Sequence, residues 1–152
     1  MSLFNLSDTN CQSILNQGRY LSGTYNISVN GLISPVYCDQ TTDGGGWLVI
    51  QRNVRNLNFY KSWQEFKHGF GDLDLSFWWG NEKMHQLTWS REFELRVDLK
   101  RANGEEGYAK YTEFKVKLYK FGSIIAENIV LFTLVCNLNN ILYLKCEYES
   151  EY

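Results

Sequence analysis

Proline is nearly missing from this chain: one residue in 152, Pro35. With 12 glycines, that excludes collagen-like and proline-rich architectures. Histidine is almost as scarce, at His68 and His85, and none of the four cysteines belongs to a Cys-x-x-Cys pair. A structural zinc site normally shows paired ligands at short spacing, so no metal centre is expected. Clusters of Lys and Arg are missing too. The 15 basic and 17 acidic side chains leave a net charge of −2, which argues against nucleic acid as a partner. No apolar run is long enough to span a membrane. The stretch from Ile124 to Cys136 is broken by Glu127 and Asn128, and its clean part, 129–136, falls far short of the roughly 20 residues a span needs. The first ten residues have neither the basic start nor the apolar core of a secretory signal. Taken literally, that start predicts a cytosolic product. A mature form, an excised domain or an incomplete gene model would look the same.

Aromatic side chains are plentiful: 5 Trp, 10 Tyr and 9 Phe. Large rings suit β-rich cores and ligand surfaces alike. With 44% hydrophobic residues the length supports one core. Residues 8–10 resemble a helix N-cap region, followed by one or two turns over 11–16 and a stop at Gly18. Tyr25, Ile27 and Val29 alternate as in a strand. Asn30 and Gly31 mark a tight hairpin turn, and 36–38 returns as the partner. Residues 43–46 break the chain before 47–52, which has central-strand character. Phe59, Trp63, Phe66 and Phe70 predict one face of a short helix ended by Gly69 and Gly71. Met84 and Leu87 predict a second helix. Phe93, Leu95, Val97 and Leu99 then alternate inward, and 108–116 is expected as their neighbour across a turn at Asn103 and Gly104. This order, without βαβ regularity, predicts an α+β fold with an antiparallel sheet. Residues 117–152 lose the Gly and Trp punctuation and become rich in Leu, Ile and Asn.

Little of this is catalytic chemistry. The glycines at 44–46 lack the Lys-Ser/Thr of a phosphate loop and precede a strand, so a tight turn is expected. Asp72 and Asp74 fall short of the six to eight oxygens calcium takes, and capping or solvation suits them better. His68 and His85 lie on the two helices, where packing is expected. The adjacent Trp78 and Trp79 point to different sides of the chain, so a sugar-stacking platform stands as an alternative to core packing. Cys11 and Cys38 are natural disulfide partners in an oxidising compartment, and closing that loop would stabilise by about 3–4 kcal/mol. Two buried free thiols are the alternative. Asn5 and Asn26 begin Asn-x-Ser sequons, meaningful if the chain is secreted. Nothing assembles a nucleophile, a base and an oxyanion site, so the chain is not expected to be an enzyme.

One ordered run is more specific. It contains Cys11, Ser-Gly-Thr-Tyr at 22–25, Val-Tyr-Cys-Asp at 36–39, Thr-Asp-Gly-Gly-Gly-Trp-Leu-Val-Ile-Gln-Arg at 42–52, and Phe59. It continues through Trp63, Phe66, 69–71, Phe77, Trp78, Gly80, Asn81, Leu87, Thr88, 94–99, 109–111 and 114–116. Over residues 11–116 the chain resembles the fibrinogen C-terminal-like domain of fibrinogen chains, ficolins, tachylectins, angiopoietins, tenascins and invertebrate fibrinogen-related lectins. The resemblance implies a small N-terminal hairpin-plus-helix subdomain, then a central antiparallel sheet with two short helices. It implies that Cys11 and Cys38 form the family's first disulfide. It also implies a secreted, extracellular protein, which lends weight to Asn5 and Asn26, and makes Trp47, Trp63, Trp78, Gly80 and Asn81 framework.

The function it implies is a non-catalytic recognition module, binding glycans or acetyl groups in innate defence. Receptor or matrix binding of the angiopoietin or tenascin type is the alternative, and an inactive truncated fragment a third. Partners would be a glycan or a cell-surface protein, with oligomers formed through sequence outside this chain. The chain departs from the family in having Leu75 and Ser76 where Gly-Glu is usual. After Val116 the match ends. The family's calcium loop, second disulfide and ligand pocket belong there, and Cys136 and Cys146 lack the surroundings of that second pair. No calcium or ligand residue therefore carries over, and no cofactor is expected. The chain accordingly divides into a partial domain at 11–116 and an apolar tail at 117–152. That tail is expected to be either an artefact of gene prediction or the source of a substitute strand around Ile129–Val135 covering a sheet edge.

Overall fold

The computed structural model describes residues 8–54, 57–101, 103–118, 124–127 and 139–146. The chain begins with a reciprocal cap: Asn10 Oδ1 accepts from the Ser13 amide at 2.8 Å and the Asn10 amide donates to Ser13 Oγ at 3.4 Å. That cap starts α1 (Cys11–Asn16). Strands β1 (Gly23–Val29) and β2 (Leu32–Asp39) follow as a hairpin. Its two turn residues, Asn30 (φ 49°) and Gly31 (φ 80°), are both left-handed, as the favoured two-residue turn requires. Cys11 and Cys38 are disulfide-bonded, with 5.5 Å between their Cα atoms, which ties α1 to β2.

Next come β3 (Trp47–Arg52), α2 (Trp63–His68), β4 (Phe70–Gly71), β5 (Phe77–Trp78) and α3 (Asn81–Ser90). Then follow β6 (Phe93–Lys100), β7 (Glu106–Tyr111), β8 (Lys115–Leu118), β9 (Ile124–Glu127) and β10 (Asn139–Cys146). The main sheet is antiparallel, in the order β1-β2-β3-β10-β6-β7, and β5 with β4 continues the β3 edge that β2 leaves. Strands β8 and β9 form a separate two-stranded sheet. The α+β class and the hairpin-helix-sheet arrangement hold.

Strand β3 is buried on both faces: Trp47, Leu48, Val49 and Ile50 are at most 1% exposed. Its neighbour β10 comes from the apolar tail and lies centrally, pairing with β3 through 141–144 and with all of β6. The segment Ile129–Val135, expected as a substitute strand, lies outside the described residues. Of the two described strands within the tail, β9 pairs with β8, and β10 fills the middle of the main sheet.

Two expected elements are shorter than their periodicity suggests. The apolar pattern from Phe59 to Phe70 contains a helix only from Trp63 to His68, started by Ser62 and Glu65 in a capping box. Gly69 stops it at φ 95°, where an added Cβ would lie 2.5 Å from the Trp79 carbonyl oxygen. The rings still meet: Phe70 stands edge-on to Phe59 and to Phe66, each at 5.2 Å between centroids. Likewise 108–116 is not one strand. Glu113 at φ 55° turns the chain after β7. Phe114 then donates its amide to the Phe93 carbonyl at 2.7 Å, and Val116 donates to Thr88 Oγ1 at 3.1 Å. Phe114 and Val116 join Met84, Leu87, Phe93 and Leu95 in the core.

Candidate functional site

Alternation along β6 sorts its residues between two faces. Phe93, Leu95 and Val97 enter the core, and Glu94, Arg96, Asp98 and Lys100 lie on the other side. Register then decides what surrounds them. Arg96 stands opposite Lys110 of β7 and Tyr143 of β10, and Asp98 stands opposite Tyr108 and Ile141. Arg96 is only 8% exposed, and its guanidinium is engaged by carboxylates of two different segments. Its Nε donates to Asp98 Oδ1 at 2.7 Å, its Nη1 donates to Asp43 Oδ2 at 3.1 Å, and its plane lies 4.0 Å from the Tyr108 ring centre. Lys110 also pairs with Asp43.

The turn at Thr42–Gly44 delivers Asp43, itself left-handed at φ 47°. Asp39 braces that turn, accepting from the Thr41 and Thr42 amides at 2.9 Å each and from Thr42 Oγ1 at 2.6 Å. Gly45 (φ 79°) permits the tight return, since a Cβ there would lie 2.4 Å from the Gln40 carbonyl oxygen.

Beneath the charges lies an aromatic floor. Trp47 meets Tyr143 edge-on at 5.9 Å, and the Lys110 and Lys145 ammonium groups lie 5.5 and 5.3 Å from the Trp47 ring. Arg52 stacks over Tyr37 at 3.9 Å on the same face. At the β6–β7 end a cleft of about 320 Å³ is lined by Arg96, Asp98, Lys100, Glu106, Tyr108 and Ile141, among others.

Charge states follow from these contacts. The hydrogen bond from Lys110 holds the Asp43 carboxyl below the usual range, and the same bond raises Lys110. Burial disfavours charge on Arg96, yet Asp98 and Asp43 outweigh it and raise its pKa. Burial, then the Asp98 and Asp39 carboxylates, push Tyr143 up to about 12. The Asp43 carboxylate is therefore held ionised between cations, and the Tyr143 phenol stays protonated. Such a face offers the exposed Tyr108 ring and the partly exposed carboxylates of Asp43 and Asp98 to a polar ligand.

The sequence-derived residues fall elsewhere, except Trp47 in the floor. Trp63 is half-buried on α2. Trp78 donates its indole N–H to the Phe66 carbonyl and to Asn81 Oδ1, both at 3.0 Å, and Gly80 joins them at φ 113°. Trp79 donates to the Pro35 carbonyl at 3.0 Å. Trp78 and Trp79 are 4% and 2% exposed, so the sugar-stacking alternative for the pair fails. Both sides of the chain are covered there, and different sides need not mean one side in solvent. Asn26 is exposed on β1, an outer strand; Asn5 lies outside the described residues.

Asp72 and Asp74 are engaged in their own turn: Asp72 Oδ1 accepts the Asp74 amide at 2.9 Å, and Asp74 Oδ1 accepts from Thr24 at 3.1 Å. Among the described residues no group of three His, Cys, Asp or Glu side chains converges, so these residues do not fit the calcium ion of the family's other half. Sequence reasoning missed Asp43, Arg96, Asp98, Lys110 and Tyr143. The signal available was the polar half of the β6 alternation.

Comparison with known proteins shows the family. Residues 7–121 match the family described as Fibrinogen beta and gamma chains, C-terminal globular domain. The chain belongs to that family. It is 44% identical to Ficolin-3 of Homo sapiens over 109 residues, covering 70% of this chain and 36% of that protein. It is 37% identical to Fibrinogen-like protein A of Apostichopus parvimensis over 147 residues, covering 86% and 52%. Among solved structures, the fibrinogen-like globe domain of human ANGPTL6 superposes with a TM-score of 0.72 at 32% identity, over 82% of this chain and 58% of that one. The chain thus spans about half or less of these curated relatives' lengths. Among the described residues no helix is long and apolar enough to cross a membrane.

Proposed function

We propose that the chain is a non-catalytic, extracellular recognition module of the fibrinogen-related lectin type, taking glycans or acetylated groups in innate defence. The observation that carries this reading is the 44% identity to Ficolin-3 over 109 residues, 70% of this chain. Three structural features support it. The Cys11–Cys38 disulfide suits an oxidising compartment. The Asn26 sequon is exposed, as glycosylation needs. The face around Arg96 presents charge-assisted hydrogen bonds and rings without catalytic machinery.

The test is to secrete the chain from a eukaryotic host and pass it over acetylated-glycan resin with and without free sugar. The expected result is retention that the free sugar reverses, with a glycan on Asn26. A chain with both thiols free and no affinity for any glycan would contradict the reading.

A receptor- or matrix-binding role is favoured by the 42% identity to Tenascin-R of Gallus gallus over 118 residues, 72% of this chain and 9% of that protein. Capture by a cell-surface protein, indifferent to competing sugars, would select it. The third reading, an inactive fragment, requires an open central sheet. The pairing of β10 between β3 and β6 speaks against that opening.

A further inference from the structure

A second, smaller depression lies away from the charged face, where β4, β5 and the start of α3 meet. Its volume is about 200 Å³, and its lining includes Pro35, His68, Phe70, Leu73, Trp79 and Lys83. Close backbone approach builds its floor. An added Cβ at Gly69 would lie 2.5 Å from the Trp79 carbonyl oxygen, and one at Gly71 would lie 2.3 Å from that of Ser76. Side chains are therefore excluded where the two segments touch, and a hollow remains above them.

The charge of this hollow is one-sided. Its lining includes Lys83 and His68 and no acid. Lys83 extends beside the Trp79 ring, with its ammonium 5.5 Å from the ring centre. Neighbouring Glu82 is engaged by Lys67 at 3.7 Å, and among the described residues no carboxylate pairs with Lys83. Burial alone pushes its pKa down. A cation desolvated against apolar walls, with the Trp79 ring beside it and no carboxylate paired with it among the described residues, carries a cost an incoming anion would relieve. The hollow is below the roughly 300–1,000 Å³ of a drug-sized pocket, which restricts the ligand to a small one.

We propose that this hollow is a binding site for a small carboxylate with a ring or short apolar body. The Lys83 ammonium takes the charge, and Pro35, Phe70 and Leu73 take the body. The site is separate from the charged sheet face and stands or falls independently of the glycan reading. Two sources carry such chemistry, a free apolar acid and a uronic acid unit of a glycan, and two probes separate them.

The experiment titrates the 152-residue chain with benzoate and with glucuronate, using benzyl alcohol and glucose as neutral counterparts. Binding is read by calorimetry, and protection of each lysine from reductive methylation by mass spectrometry. At least one acid is expected to bind and to slow labelling of Lys83 while the other lysines are unaffected. Lys83→Met keeps the aliphatic stem and is expected to weaken binding about tenfold or more, the worth of a charge-assisted contact. Benzoate alone binding would identify a free acid as the source, and glucuronate binding would identify a glycan. The proposal is overturned if neutral counterparts bind as well as the acids, if Lys83→Met binds unchanged, or if neither acid binds at millimolar concentration.

Discussion

The two faces of the central sheet use the same strands for opposite purposes. On one, Phe93 and Leu95 are fully buried with Met84, Leu87, Phe114 and Val116. On the other, Arg96 and Asp98 lie one residue away on the same strand, tied to Asp43, Lys110 and Tyr108. The first face is held by removal of apolar surface from water, which involves no titrating group. The second is held by charge-assisted bonds at a rim that water reaches, where each contributes less and responds to titration. The apolar and charged faces are thereby separated by the two-residue period of the strand.

That contrast is sharpest for Phe93→Ala. It empties a fully buried site and is expected to cost about 3–5 kcal/mol in chemical denaturation. A loss below about 1 kcal/mol would break the contrast, because the apolar face would then not be the stabilising one. Replacing Cys11 and Cys38 together by serine is expected to cost about 3–4 kcal/mol, through the loop closed in the unfolded chain. It should leave ligand contacts on the charged face unchanged.

The next effect is visible only at high pH. Above the ordinary phenol value of 10.0 the unfolded chain ionises Tyr143, while the folded chain keeps its proton to about 12. The stabilisation is complete below pH 10 and is lost at about 1.4 kcal/mol per unit as pH rises from 10 to 12. Tyr143→Phe should remove that slope, and an identical slope in the variant would show the phenol to be solvated.

Arg96→Ala is expected to cost about 1–2 kcal/mol, less than Phe93→Ala, since water replaces its lost bonds at Asp43 and Asp98. A smaller change belongs to Asp39. Burial works against its charge, but the hydrogen bonds from Thr42 and Thr41 win and hold its pKa below 3.8. Its stabilisation is present above the usual carboxylate range and disappears as pH falls through the lowered value. An acid titration of Asp39→Asn should therefore be flatter below pH 4 than that of the parent chain.

The sequence showed the apolar face well and the charged face poorly. Alternation at Phe93, Leu95 and Val97 is local and can be counted, and Asn30 with Gly31 names its own turn. Arg96 acquires meaning only when β7 and β10 bring Lys110 and Tyr143 beside it, pairings set by long-range register. Periodicity overextends the helix from Phe59 to Phe70, because a periodic apolar face can be completed by a loop and a strand meeting at one ring cluster. The tail offered the weakest signal: Ile141 to Leu144 lacks alternation, and its neighbours lie 43 to 49 positions earlier on β6 and 89 to 96 positions earlier on β3.

Strand β10 joins the two halves of the sheet, pairing with β3 on one side and β6 on the other. Native-state hydrogen exchange on the 152-residue chain tests it directly. The amides of Leu142, Tyr143 and Leu144 should be protected to within about tenfold of those of Val49 and Leu95, since all belong to one cooperative sheet. Exchange of 142–144 at the rate of an unfolded peptide, with Val49 still protected, would contradict it.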